Sequence, residues 1–133
     1  MSITSTRETL LRYLNSEHGD TSSLAPDVIF TTMATGETCQ GPAAVQGMLH
    51  YLYHVAFEAT VETRVMLFGE DHAMFEGDFV GKHTGDFAGI PATGKDVRVP
   101  ICVVYDIAHD QITHARVYFE IPALLQQLGV PAS

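Results

Sequence analysis

Histidine, glutamate and tyrosine are side chains that exchange protons with a substrate, and His83, Glu120 and Tyr13 stand out by position. An imidazole gives or takes a proton near neutral pH. His83 shares an alternating strand face with Phe75 and Phe79, at the entrance to a long loop. It reads either as a proton shuttle or oxyanion donor, or as a structural histidine that bonds the loop backbone. Tyr13 lies on a first helix, where its hydroxyl either donates to an oxyanion or is satisfied in the core. Tyr105 shares a face with Val97, Val99, Ile101 and Val103, a pattern that suits a pocket wall and core packing equally. Glu120 follows a strand in which Ala115, Val117 and Phe119 share one face and His114, Arg116 and Tyr118 the other. That alternation turns Glu120 away from the apolar face. A negative charge there also suits the start of a helix. By position Glu120 therefore reads as a structural, helix-start or ion-pair residue.

Other constellations carry less. His50 and His54 are four apart on one helix face, but no third metal ligand is placed with them and no glutamate follows His50. Glu76 and Asp78 fall on the face opposite Phe75 and Phe79 and read as solvated or dimer-facing. Arg116 reads as an edge or dimer-face ion-pair residue. Cys39 and Cys102 fit no metal or redox spacing, and Cys102 reads as a buried reduced thiol. No Ser-His-Asp arrangement, phosphate loop or dinucleotide turn is present.

The elements that must position these residues follow from period and punctuation. Ser5 and Glu8 have capping-box spacing, and Leu10, Leu11 and Leu14 recur at helical spacing after them. A short strand is predicted over Val28–Thr32, with Glu37–Cys39 pairing back after the Ala34-Thr35-Gly36 turn. Pro42 opens a second helix whose stripe is Val45, Met48, Leu49, Leu52, Val55 and Ala56. The period then changes to two. Ala59–Phe68 places Val61, Thr63, Val65 and Leu67 on one face, and His72–His83 returns after Gly69-Glu70-Asp71. Val97–Asp106 and Ile112–Phe119 complete four long strands. Pro122 starts a last helix that Gly129 caps, with Pro131 beyond. Strands in series with short turns, preceded by helices, define an α+β chain. Glycines at 77, 81 and 85 mark bends. The expectation is one domain over residues 1–133, a curved antiparallel sheet whose concave face the helices close. Such a hollow suits a small ligand.

Composition narrows the partners. The chain has 133 residues, 46% apolar, with 16 acidic and 7 basic side chains and a net charge of -9. The basic residues are scattered, which argues against nucleic acid and against an anionic membrane surface. No apolar run reaches membrane-spanning length, and the start does not read as a signal peptide. A reducing cytoplasm is the default expectation.

Three stretches carry a resemblance. Residues 81–95 read G-K-H-T-G-D-F-A-G-I-P-A-T-G-K, residues 111–120 read Q-I-T-H-A-R-V-Y-F-E, and residues 125–129 read L-Q-Q-L-G. Asp27–Phe30 and Gly41–Val45 add weaker matches. Together they resemble the SnoaL-like polyketide cyclase (ester cyclase) group of the nuclear transport factor 2-like, or ketosteroid isomerase-like, superfamily. The resemblance implies a cone-shaped homodimer with an apolar cavity. It implies an intramolecular aldol closure on an aromatic polyketide ester, without metal or cofactor. It also implies a carboxylate near the end of the last long strand. Aligned on the Q-L-G ending, Glu120 takes that position; if the position is Val117, this chain has no such acid.

The expected site therefore combines His83, Glu120 and Tyr13 with walls from Phe75, Phe79, Val99, Ile101, Val103, Tyr105, Val117 and Phe119. The expected function is a cofactor-free cyclase or isomerase acting on a small apolar carbonyl compound. The alternative is a non-catalytic small-molecule binding protein of the same fold, because relatives of this superfamily include both.

Overall fold

The computed structural model describes residues 2–16 and 19–129. Helix α1 (Ile3–Asn15) buries Thr6, Thr9, Leu10 and Tyr13. Its cap is Ser2, whose hydroxyl accepts from the Ser5 backbone while Ser5 reaches back. The capping box thus begins three residues earlier than the Ser5–Glu8 spacing suggests. A 3-10 turn at Thr21–Ser23 leads into β1 (Leu24–Thr32), which pairs with β2 (Glu37–Gln40). Helix α2 (Pro42–His50) follows, then a π-helical segment, Tyr51–Ala56. Strands β3 (Phe57–Phe68), β4 (His72–His83), β5 (Asp96–Ala108) and β6 (Gln111–Phe119) form the expected antiparallel meander. Helix α3 (Ile121–Gln127) ends before Gly129, whose φ of +84° suits a residue without Cβ. Pro131 lies outside the described residues.

The six strands form one curved sheet in the order β2-β1-β6-β5-β4-β3. The sheet is mixed, because β1 runs parallel to β6, with Phe30 beside Ala115 and Thr32 beside Val117. Local spacing carries no sign of that pairing, since the two strands lie far apart in the chain. Burial alternates along β5: Val97, Val99, Ile101, Val103, Tyr105 and Ile107 face inward against the helices.

Curvature is written into β4. A Cβ on Gly77 would lie 2.3 Å from the Glu62 carbonyl oxygen, and one on Gly81 would lie 2.4 Å from that of Glu58. Only glycine lets β3 fold this closely onto β4. A bulge at Arg64 then reverses the faces of β3, since Thr63 pairs with Gly77 but Val65 with Glu76. Met66 and Phe68 therefore pack inward, while Val65 and Leu67, expected beside Val61 and Thr63, are exposed on the outer face.

That outer face is charged and paired. Asp78 takes Arg64 at 2.7 Å and Arg98 at 2.9 Å. Arg116 grips both oxygens of Asp106 at 2.8 and 2.9 Å. Cys102 also sits there, only half-buried rather than in the core, and burial beside Glu76 pushes its thiol up. Among the described residues, no helix is long and apolar enough to cross a membrane.

Candidate functional site

Three tyrosines meet inside the sheet. Tyr13 comes from α1, Tyr53 from the π-helical segment and Tyr105 from β5, and all three are buried. Tyr105 lies between Ala73 and Ala115 on the neighbouring strands, so small residues leave its ring room. Phe75 stands 6.3 Å from it, centroid to centroid. Burial raises all three phenols, Tyr53 raises Tyr13 further, and both raise Tyr105. A phenol held above its usual range stays protonated and remains a hydrogen-bond donor.

Beside this cluster a groove of about 630 Å³ follows the free edge of β3. Leu11 and Leu14 of α1, Tyr53, Val61, Met66 and Phe75 supply its apolar wall, while Asn15, His54 and Glu58 stand at its polar part. Of the expected wall residues, Phe75 borders this groove. Phe79 packs instead against Tyr53, Phe57 and Phe119 at centroid distances of 5.2, 5.3 and 5.1 Å. Val99, Ile101, Val103 and Phe119 are buried in the core. Val117 faces Val103 across the strand pair and is part of the inner face.

His83 has a different position from the tyrosines. The Thr93 backbone N–H donates to its Nδ1 at 3.1 Å, and the Thr93 hydroxyl lies 2.9 Å from the same nitrogen. The Lys95 N–H donates to that hydroxyl oxygen. Nδ1 as acceptor places the proton of the neutral ring on Nε2. Nε2 is buried with no hydrogen-bond partner among the described residues, and the ring lies 5.1 Å from Phe57. His83 therefore anchors the 84–95 loop, as the structural reading expects, and it does not border the groove. The same loop is tied to the π-helical segment through Thr84, which donates to Val55, and Tyr51, which donates to the Asp86 carbonyl.

Glu120 is exposed at the head of α3, and its side chain makes no cap hydrogen bond. The structure brings Tyr13, Tyr105 and Phe75 together but leaves Glu120 outside, with Val117 inward in the last long strand. The strand alternation already pointed this way.

Tyr53 was missed by the sequence reading, which weighed His54 only as half of a metal pair with His50. The widened π turn adds a residue, which moves Tyr53 into the core and exposes Val55, although Val55 had been placed on the buried stripe. Tyr53 does continue the four-residue step from Val45 and Leu49, and that signal could have found it. His50 and His54 face each other with ring centroids 5.4 Å apart, and no group of three metal-ligating side chains occurs among the described residues.

This fold and cavity define a class, and the comparisons name it. The chain belongs to the SnoaL-like polyketide cyclase family, whose model matches residues 11–128. A candidate SnoaL-like polyketide cyclase from Jannaschia sp. CCS1 superimposes with a TM-score of 0.84 at 19% identity, over 97% of this chain and 94% of that one. A candidate polyketide cyclase from Xanthomonas campestris pv. campestris gives 0.78 at 19% identity, over 95% and 96%. A Catenulispora acidiphila protein of ketosteroid isomerase-like fold, crystallised with trimethylamine, gives 0.74 at 19% identity, over 95% of each chain. At these identities the likeness shows the fold. No curated protein matches the chain in sequence.

Proposed function

We propose that this chain is a cofactor-free cyclase or isomerase acting on a polyketide-like carbonyl compound held in the β3-edge groove. The observation that carries the reading is the juxtaposition of an apolar groove with buried phenols that keep their protons. Chemistry beside a carbonyl generates an enolate, and fixed donors in a dry site stabilise it far better than water does. Tyr53 both borders the groove and belongs to the phenol cluster, and it is the donor proposed for a bound oxyanion. Tyr13 and Tyr105 stand behind it. The volume suits a ligand of a few fused rings, since small-molecule sites run from roughly 300 to 1,000 Å³.

The test is turnover of a panel of aromatic keto-esters, followed by mass spectrometry, with native protein and Tyr53→Phe. Native protein is expected to release cyclised product, and Tyr53→Phe to lose about a hundredfold in rate. Equal rates in the two would remove the phenol from the mechanism.

The inward Val117 favours a second reading, a binding protein without catalysis, because the last long strand offers no inner carboxylate. Native mass spectrometry separates the two: an apolar ligand retained unchanged on incubation supports binding alone. In either case a second copy of the chain is the partner proposed for the outer face, where Met74, Val80 and Val104 are half-buried and Leu67 and Tyr118 are exposed. Sedimentation at micromolar concentration is expected to give a dimer, and a monomer would contradict this.

A further inference from the structure

Three titratable side chains border the groove among the described residues: Tyr53, His54 and Glu58. Enolate chemistry needs a group that takes the proton as well as one that steadies the oxyanion. Tyr53 is a poor acceptor because burial keeps its own proton on. Glu120 is exposed away from the groove, Val117 carries no acid, and the Nδ1 of His83 is already an acceptor from Thr93. His54 remains. Its Nδ1 lies 3.6 Å from Oε1 of Glu58, four residues on at the start of β3, at ion-pair distance. It follows Tyr53 directly on the π-helical segment, so the donor and the candidate acceptor sit side by side at the groove. Such widened turns recur at functional sites.

We infer that His54 is the proton acceptor of the groove and that Glu58 is the residue that positions it. The inference rests on the enzymatic reading above. With Nδ1–H turned toward Glu58, Nε2 carries the free lone pair. The C–H bond beside a ketone breaks, its proton passes to Nε2, and its electron pair becomes the enolate. The enolate oxygen accepts from Tyr53, and the imidazolium faces the Glu58 carboxylate. Return of a proton from Nε2 to carbon restores the ketone and the neutral ring.

Run in D₂O, this cycle exchanges the substrate's C–H for C–D, which proton NMR reads with 2-tetralone as probe. Native protein is expected to accelerate the exchange. His54→Ala is expected to lose about a hundredfold, and added imidazole to restore part of the rate, as it restores no merely structural loss. His54→Gln, closer in size, is expected to lose as much. Glu58→Ala is expected to cost about fivefold, with Glu58→Asp recovering most of it because the charge is kept. His50→Ala, which removes the neighbouring ring, should leave the rate within about twofold. Native-like exchange in both His54 variants would overturn the inference and leave the enzymatic reading standing. Absence of exchange with native protein would overturn both.

Discussion

The backbone N–H of Thr93 donates to Nδ1 of His83 across the neck of the 84–95 loop, at 3.1 Å. That bond explains why a buried histidine stands at this place in β4. The neck is closed on both sides of it, since His83 N–H donates to the Lys95 carbonyl and Gly94 N–H to that of His83. At the loop tip, Ala88 and Gly89 both take positive φ between the paired residues Phe87 and Ile90.

His83→Ala is therefore expected to cost stability, about 2–4 kcal/mol from the cavity and the stranded loop donors. Thr93→Val, which removes the hydroxyl alone, should cost about 1 kcal/mol. Urea unfolding measures both. A His83→Ala variant as stable as native protein, yet inactive, would return His83 to the chemistry.

The three buried phenols give stability an alkaline limit. Their folded values lie above the ordinary phenol range, which centres near about pH 10. Above that range the unfolded chain releases protons that the folded chain keeps, so stability is full below it and falls as pH rises further. Ultraviolet absorbance follows phenol ionisation across this range. Tyr13, Tyr53 and Tyr105 should ionise only with unfolding. Ionisation of Tyr13, Tyr53 and Tyr105 in protein that is still folded would contradict the cluster.

The acid limit comes from the outer face. Hydrogen bonds from Arg64 and Arg98 hold the Asp78 carboxyl below its usual range, and those from Arg116 do the same for Asp106. Their contribution is present above about pH 4, where unfolded aspartate is ionised, and is lost as pH falls through the lower folded values. Asp78→Asn and Asp106→Asn should each flatten the acid limb of a urea-midpoint profile. An unchanged slope would show the pairs to be without weight.

Gly81→Ala tests the curvature that shapes the groove. The new Cβ would lie 2.4 Å from the Glu58 carbonyl oxygen and 2.6 Å from the Ala59 Cβ. Overpacking against backbone costs about 1–3 kcal/mol. A variant of native stability would mean that β3 moves freely away from β4.

Much of this was legible in the chain because it is local. Helical stripes, the two-residue period of β4 and β5 and the glycines of β4 placed the meander and the inner position of Tyr105. The outward turn of Glu120 was legible for the same reason. What could not be read depends on one inserted residue or on distant pairing. The Arg64 bulge reversed the faces of Val65 and Met66, the π turn exchanged Val55 for Tyr53, and β1 found β6 across most of the chain. The bulge and the β1–β6 pairing leave composition and local period unchanged, whereas the inward Tyr53 keeps the four-residue step from Val45 and Leu49. The groove at the β3 edge, with His54 beside Tyr53, depends on the first two.

The most direct test of the account is an amide NMR titration of the native protein with an aromatic keto-ester. Saturable shifts centred on Leu11, Tyr53, Val61 and Phe75, which border the groove, are the predicted result. A spectrum that does not move, or shifts confined to Arg64, Glu76 and Asp78 on the outer face, would contradict a ligand site at the β3 edge.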